Sequence, residues 1–202
     1  MSKSVQQHLA DININDMWET PNLELKKAMM KYDVLPFLDV CSTAHNAKFS
    51  EFFTEKDDGL NQDWNMDFFM NPPYSQIDTW MKKAYDQHTK HNVTGLILVY
   101  AKCGVKWFED YVYDYSNDQW LAEFKPINHR IQFKINGIIP RYCKICKKKF
   151  YKELKICPNY NETTGKHTVN EISKIYSDDS GKLTKNSAPY DSCWIIFRKK
   201  NQ

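Results

Sequence analysis

Short apolar runs separated by polar turns restrict the fold of this sequence more than any other feature. Residues 35–41, 68–70 and 95–101 are apolar runs of strand length, and residues 129–135 and 192–198 have the same character. Runs of this length that are bounded by turn-forming residues are typical of buried strands. The sequence therefore predicts at least five strands.

Between these runs, apolar residues recur at helical spacing. Residues 22–32, 76–91 and 105–115 carry this pattern, and Thr20 with Pro21 forms a helix-start signal, with Thr20 as the cap. Strands that alternate with helices predict an α/β fold whose sheet is largely parallel. Ligands bind to such sheets beyond the carboxyl ends of the strands.

A stretch of different composition lies between the last two predicted strands. Residues 137–186 are rich in Lys, contain a cluster of Cys, and then become polar. A structureless loop of this length is unusual in a compact domain. We therefore expect an inserted module at 137–186, within a main domain formed by residues 1–136 and 187–202.

The tetrapeptide Asn71-Pro72-Pro73-Tyr74 directly follows the apolar run at 68–70. An exocyclic amino nitrogen of a nucleobase is a poor nucleophile, because its lone pair is delocalised into the ring. The side-chain oxygen of Asn71 and the carbonyl of Pro72 could accept its two protons and localise that lone pair. The prolines stiffen the loop, and Tyr74 could stack on a base flipped out of the duplex. The motif favours amino-group methylation, although a proline-rich turn after a strand is the plain alternative.

Several sequence blocks, taken in order, resemble the phage-type DNA N6-adenine methyltransferases, the Dam family. The resemblance covers about residues 18–136 and 187–198. It rests on Trp18-Glu19-Thr20-Pro21, Leu38-Asp39-Val40-Cys41, Asn46-Ala47-Lys48, residues 53–60, Gln62-Asp63-Trp64, Asn71-Pro72-Pro73-Tyr74-Ser75, Trp107-Phe108, Ile131-Gln132-Phe133 and Ala188-Pro189-Tyr190. The combined pattern is far more specific than any single block, and it suggests a phage or mobile-element origin.

The resemblance implies a Rossmann-like methyltransferase sheet that binds S-adenosylmethionine. In that case Asn71 to Tyr74 are the catalytic residues, and Asn71 also borders the cofactor. The expected cofactor-binding residues are Trp18, Thr20, Pro21, Asp39, Asp57, Asp58 and Asp63. Thr20 and Pro21 would close over the cofactor and Asp39 would bind its ammonium group.

The other acidic residues have more specific expected roles. Asp57 or Asp58 would take the ribose hydroxyls, and Asp63 the adenine amino group. Each Asp is equally consistent with a turn or a helix cap. The sequence lacks the glycine-rich loop that many methyltransferases have after the first strand.

The segment 137–186 departs from the family pattern and contains Cys143, Cys146, Cys157 and His167. A Cys-x2-Cys pair is a common half of a zinc site, so a structural zinc ion is expected there. His129 and Cys193 are alternative fourth ligands, and three reduced thiols beside a solvated His are the alternative to zinc. Zinc would stabilise a module too polar to fold alone.

The same segment is the expected DNA-contacting element. Its lysines, with interleaved aromatic residues, suit contacts to phosphates; a solvated charged face is the alternative. The candidate DNA-binding residues are Lys144, Lys147, Lys148, Lys149 and Lys152.

Charge and patterning exclude some classes of protein. The formal net charge is +3, which does not by itself require a nucleic-acid partner. Residues 1–20 lack the apolar core of a secretory signal, and no apolar run is long enough to span a membrane. We therefore expect a soluble, intracellular (cytoplasmic) protein without a disulfide framework.

The expected function is methylation of N6 of adenine in DNA. Related motifs also serve N4 of cytosine and protein glutamine, so these substrates and RNA stay open as alternatives. A non-catalytic, zinc-containing DNA-binding protein is the alternative of a different class.

Overall fold

The computed structural model describes residue 16, residues 18–129, 131, 133–134 and 191–200. It also describes the backbone of three further strands, which lie at 141–143, 149–150 and 172–174.

Within this part of the chain, three α-helices and eleven strands are described. The helices are α1 (Asn22–Tyr32), α2 (Ile77–His91) and α3 (Lys106–Tyr111). Single 3-10 turns lie at Gly59–Asn61 and Tyr74–Gln76. The strands are β1 (Leu38–Asp39), β2 (Glu51–Phe52), β3 (Phe68–Met70), β4 (Gly95–Tyr100), β5 (Tyr113–Asp114), β6 (Gln119–Trp120), β7 (Glu123–Pro126), β8 (Arg141–Cys143), β9 (Lys149–Phe150), β10 (Ile172–Lys174) and β11 (Ser192–Phe197).

Six of these strands form one mixed, mostly parallel sheet in the order β2-β1-β3-β4-β11-β7. β1 to β4 pair in parallel, and β11 is antiparallel to both β4 and β7. β7 therefore runs in the same direction as β4, so that five strands share one direction. Their carboxyl ends form one edge of the sheet, which we call the carboxyl edge. This architecture fits a Rossmann-like methyltransferase fold.

The sheet is covered on both faces. In β4, Ile97 and Val99 face the cluster that contains α2 and α3, whereas Leu96 and Leu98 face the cluster that contains α1. Every residue of β4 and β11 is buried. Burial on both faces explains why these strands are continuously apolar in the sequence.

The structure confirms the predicted strands at 68–70, 95–101 and 192–198 and the predicted helix at 22–32. The cap assignment was wrong, because Pro21 occupies the N-cap position and the hydroxyl of Thr20 has no hydrogen-bond partner among the described residues. The strand expected at 35–41 is reduced to Leu38–Asp39. Pro36, which cannot donate to a sheet ladder, precedes this shorter strand.

Two further expectations were wrong. Helix α3 ends at Tyr111 instead of continuing to residue 115, and a small hairpin of β5 and β6 follows it. The strand next to β11 at the edge of the sheet is β7 (Glu123–Pro126). The strand that was predicted at 129–135 does not take this place. In that region the described residues contribute only a bridge between Lys134 and Glu19.

The backbone of β8, β9 and β10 forms a separate antiparallel sheet in the order β10-β8-β9. These strands fall within the segment expected to be an inserted module. In the described part of the chain, no helix is long and apolar enough to cross a membrane.

Candidate functional site

Asn71 lies at the carboxyl edge, directly after β3, with its side-chain amide fixed in one orientation. Its Nδ2 donates a hydrogen bond to the backbone carbonyl of Trp18 over 2.7 Å. Its Oδ1 is buried and has no hydrogen-bond partner among the described residues. The backbone N–H of Asn71 also interacts with the thiol of Cys41. The loop therefore presents an unused acceptor oxygen at the position where the sequence predicts one.

Tyr74, three residues further on, is held by an aromatic stack. Its ring lies 3.8 Å from the ring of Tyr100, centroid to centroid, at an interplanar angle of 13°. Its hydroxyl is buried without a described partner, and burial raises the pKa of that hydroxyl well above its usual value. One ring face is therefore occupied by Tyr100, and the half-buried side chain keeps part of its surface exposed.

The segment from Trp18 to Thr20 lies beside this loop. Glu19 and Lys134 exchange backbone hydrogen bonds of 2.9 and 3.2 Å. The ring of Trp18 stacks on Phe133 with 5.2 Å between centroids and meets the edge of Tyr100 at 6.4 Å. Because Asn71 binds the carbonyl of Trp18, the segment that leads into α1 is fixed to the loop after β3.

Asp39 ends β1 and is 2% exposed. Its carboxylate accepts hydrogen bonds from the backbone N–H groups of Lys48, at 3.0 Å, and Cys41, at 3.5 Å. Burial raises the pKa of Asp39 to about 6, although these two hydrogen bonds and the charge of Lys48 act in the opposite direction. Asp39 thus orders the loop after β1, which in this chain lacks the glycine-rich sequence.

Lys48 connects the same loop to helix α1. Its Nζ donates to Oδ1 of Asn22, the first residue of that helix, over 3.1 Å. Burial lowers the pKa of Lys48, whereas the charges of Glu19 and Asp39 raise it. A cation, an acid and the start of a helix therefore meet at the carboxyl edge.

Buried side-chain oxygens without a described hydrogen-bond partner gather at this edge. Buried polar groups are normally hydrogen-bonded, so such a group of unused oxygens beside parallel strand ends indicates a ligand site. These atoms are Thr20 Oγ1, Ser42 Oγ, Asn71 Oδ1, Tyr74 Oη and Ser192 Oγ. Together with the carboxylate of Asp39, the oxygens other than Tyr74 Oη suit a ligand that carries ammonium, hydroxyl and amino groups, as S-adenosylmethionine does.

Asp57 and Asp58 form a turn near this edge. Asp57 accepts hydrogen bonds from the backbone N–H and hydroxyl of Thr54, at 2.8 and 2.7 Å, and these bonds lower its pKa. Asp58 accepts from the amide of Asn61 at 2.7 Å. The next residue, Gly59, approaches the carbonyl oxygen of Val40 so closely that an added Cβ would lie 2.4 Å from it.

Asp63 is not brought to the carboxyl edge. It is exposed and forms an ion pair with Lys90, 2.7 Å away, in the last turn of α2. Hydrogen bonding to Lys90 lowers the pKa of Asp63. Because α2 begins just after Tyr74 and is about 22 Å long at 1.5 Å per residue, Asp63 lies towards the opposite edge. This position does not support the expected contact with the cofactor.

Most of the predicted zinc and DNA contacts lie outside the described residues. This is the case for Cys146, Cys157, His167, Lys144, Lys147, Lys148 and Lys152, whereas Cys143 and Lys149 are described only as backbone in β8 and β9. Of the alternative ligands, Cys193 is buried in β11 and His129 contacts Glu24 at 3.0 Å. The described residues contain no group of three or more potential metal ligands.

Two residues of the site were missed in the sequence. Tyr100 ends β4 and carries the aromatic stack, and Lys48 provides the cation beside Asp39. Tyr100 lies at the end of the apolar run at 95–101, and ligands bind to such sheets beyond the carboxyl ends of the strands. This position is the signal in the sequence that could have identified it.

Comparison with known proteins points to one family. The model of the family described as DNA N-6-adenine-methyltransferase (Dam) matches residues 7–149. A DNA N-6-adenine-methyltransferase of Haemophilus phage HP1 (strain HP1c1) is 33% identical over 95 residues, which cover 46% of this chain and 55% of that protein.

A second relative, the DNA N-6-adenine-methyltransferase of Escherichia phage T1, is 29% identical over 102 residues. That match covers 48% of this chain and 41% of the phage T1 protein. The chain therefore spans about half the length of the curated relatives it matches.

Proposed function

The chain belongs to the DNA N-6-adenine-methyltransferase (Dam) family, and on that premise we propose that it methylates N6 of adenine in DNA. One observation carries this proposal. The side-chain oxygen of Asn71 is buried at the carboxyl edge without a described partner, while the amide nitrogen of the same side chain is bound to Trp18. A hydrogen-bond acceptor that no described residue uses is suited to accept an N–H of the amino group of the substrate.

In the proposed reaction, Asn71 and Pro72 act on the nucleophile. The Oδ1 of Asn71 and the carbonyl of Pro72 each accept one N–H of the adenine amino group, which localises the lone pair of N6. That lone pair would form the new bond to the methyl carbon of S-adenosylmethionine as the bond between this carbon and the sulfur breaks. An amide oxygen is a weak base, so the proton that N6 releases leaves to water. Positioning supplies most of the rate.

Tyr74 is proposed to hold the flipped adenine by stacking. Its ring is fixed against Tyr100 at 3.8 Å, so its orientation is set before a base arrives. An enzyme that acts on a base in duplex DNA must take the base out of the stack. Pro73 fixes the backbone between Asn71 and Tyr74 because its φ angle is restricted.

S-adenosylmethionine supplies an electrophilic methyl group on a sulfonium centre. We propose that Asp39 binds its ammonium group and that Asp57 or Asp58 binds its ribose hydroxyls. Trp18, Thr20 and Pro21 are proposed to cover it, and the unused hydroxyl of Thr20 supports this assignment. Asp63 is left out of the proposed cofactor site, because its ion pair with Lys90 lies near the far end of α2.

We also propose that residues 137–186 form an inserted module that reads the DNA target. The proposed phosphate contacts are its lysines Lys144, Lys147, Lys148, Lys149 and Lys152. The test is a variant from which residues 138–185 are deleted. If this variant folds and keeps the DNA affinity and sequence preference of the wild-type protein, the proposed role is wrong.

A structural zinc ion held by Cys143, Cys146, Cys157 and His167 is proposed to stabilise this module. Metal analysis of the purified protein is expected to find about one zinc ion per chain. The zinc content should fall in the double variant Cys146→Ser/Cys157→Ser. It should not change in the control Cys103→Ser, which alters an exposed thiol outside the module. Equal zinc content in both variants would contradict the proposal.

The identity of the methylated product tests the proposed function. The protein is incubated with S-adenosylmethionine and, separately, with unmethylated DNA, RNA or a mixture of proteins, and each product is identified by mass spectrometry. N6-methyladenine from DNA alone is the expected result. N4-methylcytosine, methylated RNA or methylglutamine would instead support one of the alternative substrates. If the folded protein also fails to bind S-adenosylmethionine, a non-catalytic DNA-binding protein is favoured.

A further inference from the structure

A concave surface begins at the carboxyl edge and extends along α1. It is a cavity of about 280 Å³ between α1 and the residues that follow β7. Polar and charged side chains surround its mouth, and an aromatic ring from β11 lies beneath them. Its principal lining residues are Glu24, Lys27, Lys31, Tyr32, His129 and Trp194.

The charges around this cavity are mainly positive. Lys27 and Lys31 lie one helical turn apart on the same face of α1, and His129 faces them from the segment after β7. Glu24 is the single acidic residue of the lining. It contacts Lys27 at 3.2 Å and His129 at 3.0 Å. Because the side chains of Lys27 and His129 are 59% and 51% exposed, both can exchange Glu24 for another anion at little cost.

The cavity lies close to the proposed methylation site. Pro126 ends β7 in register with Cys193, which pairs with Val99 near the carboxyl end of β4. One end of the cavity, at β7, is therefore at the carboxyl edge, three strand spacings from β3 in the sheet order. The other end follows α1 to Tyr32, whose carbonyl accepts a hydrogen bond from Arg198 after β11. At about 4.8 Å per spacing, the lateral offset from Asn71 is roughly 14 Å. This offset suits contact with the strand that flanks a flipped nucleotide.

Charge is unevenly distributed between the two sides of the sheet. Helix α1 contains three lysines and one acidic residue. On the other side, α2, α3 and the hairpin (residues 77–91 and 106–120) together contain four lysines and six acidic residues, four of which lie at 106–120. A polyanion that approaches the carboxyl edge is attracted towards α1 and repelled by the hairpin.

We propose that Lys27, Lys31 and His129 bind the phosphate backbone of the DNA strand that flanks the target adenine. Glu24 holds Lys27 and His129 in the free protein and is displaced by a phosphate. The inference rests on the proposed function, since it assigns a surface for the DNA substrate of the same site. It locates DNA contacts on the main domain, outside the inserted segment.

Binding of a labelled DNA duplex, measured by fluorescence anisotropy over a series of salt concentrations, tests this inference. The variant Lys27→Ala/Lys31→Ala should bind about tenfold more weakly than wild type at about 0.15 M salt, and the slope of log K against log salt should decrease by about 2. The matched control is Lys82→Ala/Lys106→Ala. These two exposed lysines also form ion pairs within their helices, but on the opposite face.

The variant Glu24→Gln gives a prediction of opposite sign. It removes the competing carboxylate and keeps the volume of the side chain, so DNA affinity should rise above that of wild type. A purely structural role for these ion pairs would weaken binding in both the lysine and the Glu24 variants. Affinities of the lysine variant equal to those of the control, in a wild-type protein that binds and methylates DNA, would overturn this inference alone. If the wild-type protein neither binds nor methylates DNA, the proposed function itself fails.

Discussion

Asn71 donates its side-chain amide to the carbonyl oxygen of Trp18 over 2.7 Å, although the two residues are 53 positions apart in the chain. This hydrogen bond fixes which end of the amide faces the site, because the nitrogen is engaged and the oxygen is left as an acceptor. It also ties the segment before α1 to the loop after β3. This bond therefore joins the proposed catalytic loop to the segment proposed to cover the cofactor.

Tyr74 acts through its ring in this account, and its hydroxyl is dispensable. The hydroxyl is buried without a described partner, so Tyr74→Phe should keep most of the methylation rate and leave stability unchanged or raised by up to about 1 kcal/mol. Tyr74→Ala removes the stack on Tyr100 and should lower the rate by at least about tenfold. Steady-state kinetics and chemical denaturation of both variants provide the comparison. Equal losses in the two variants would show that the hydroxyl is the important group.

Asp39 should make the protein less stable as the pH rises, in contrast to most carboxylates. Its pKa is about 6 in the folded protein against 3.8 for the free side chain, so the folded state binds the proton more tightly. The stability contribution of this group is fully present below pH 4 and is lost as the pH rises through 6. The loss is about 3 kcal/mol.

Denaturation of wild type and Asp39→Asn at several pH values isolates this effect. The free energy of unfolding of wild type minus that of the variant should fall by about 2 kcal/mol between pH 4 and pH 8. Asp114→Asn is the control: hydrogen bonds from Asn117 lower the pKa of Asp114, so its contribution is lost only as the pH falls below about 4, and the difference between wild type and this variant should stay nearly constant between pH 4 and pH 8. A difference for Asp39 that does not vary with pH would contradict the assignment.

Gly59 should not tolerate a side chain. An added Cβ would lie 2.4 Å from the carbonyl oxygen of Val40 and 3.3 Å from the ring of Trp80. Gly59→Ala should therefore lower the free energy of unfolding by about 1 to 3 kcal/mol. Gly104→Ala is the matched control, since an added Cβ there meets no atom within 4 Å. Thermal denaturation that finds equal stability for the two variants would show that the loop after β2 is not packed against β1.

The strands that are buried on both faces could be predicted from the sequence, because continuous apolar runs leave few alternatives. β4 and β11 were found close to their expected limits. β2 and β7 were missed because they lie at the two edges of the sheet. In β7, partly exposed residues such as Glu123 and Lys125 interrupt the apolar pattern. Edge strands need fewer apolar residues, so periodicity identifies them poorly.

The candidate site was predictable where a local motif marks it in the sequence. Asn71 and Tyr74 lie at a strand end, as the motif implies. The hydrogen bond from Asn71 to Trp18 and the stack of Tyr74 on Tyr100 depend on contacts between distant segments, which no local pattern encodes. Asp63 was assigned on resemblance alone, and its ion pair with Lys90 follows from the path of α2.

The central claim is that Asn71 acts on the amino group of adenine. The methylation activity of the variant Asn71→Ala tests this claim most directly. The variant, wild type and the control Asn92→Ala are incubated with unmethylated DNA and S-adenosylmethionine, and N6-methyladenine is quantified by mass spectrometry. Asn92 also binds backbone through its side chain, at Lys200, but it lies at the far end of α2. We expect that Asn71→Ala folds and loses at least about 100-fold in rate, whereas Asn92→Ala keeps activity. Substantial activity in a folded Asn71→Ala protein would contradict the claim.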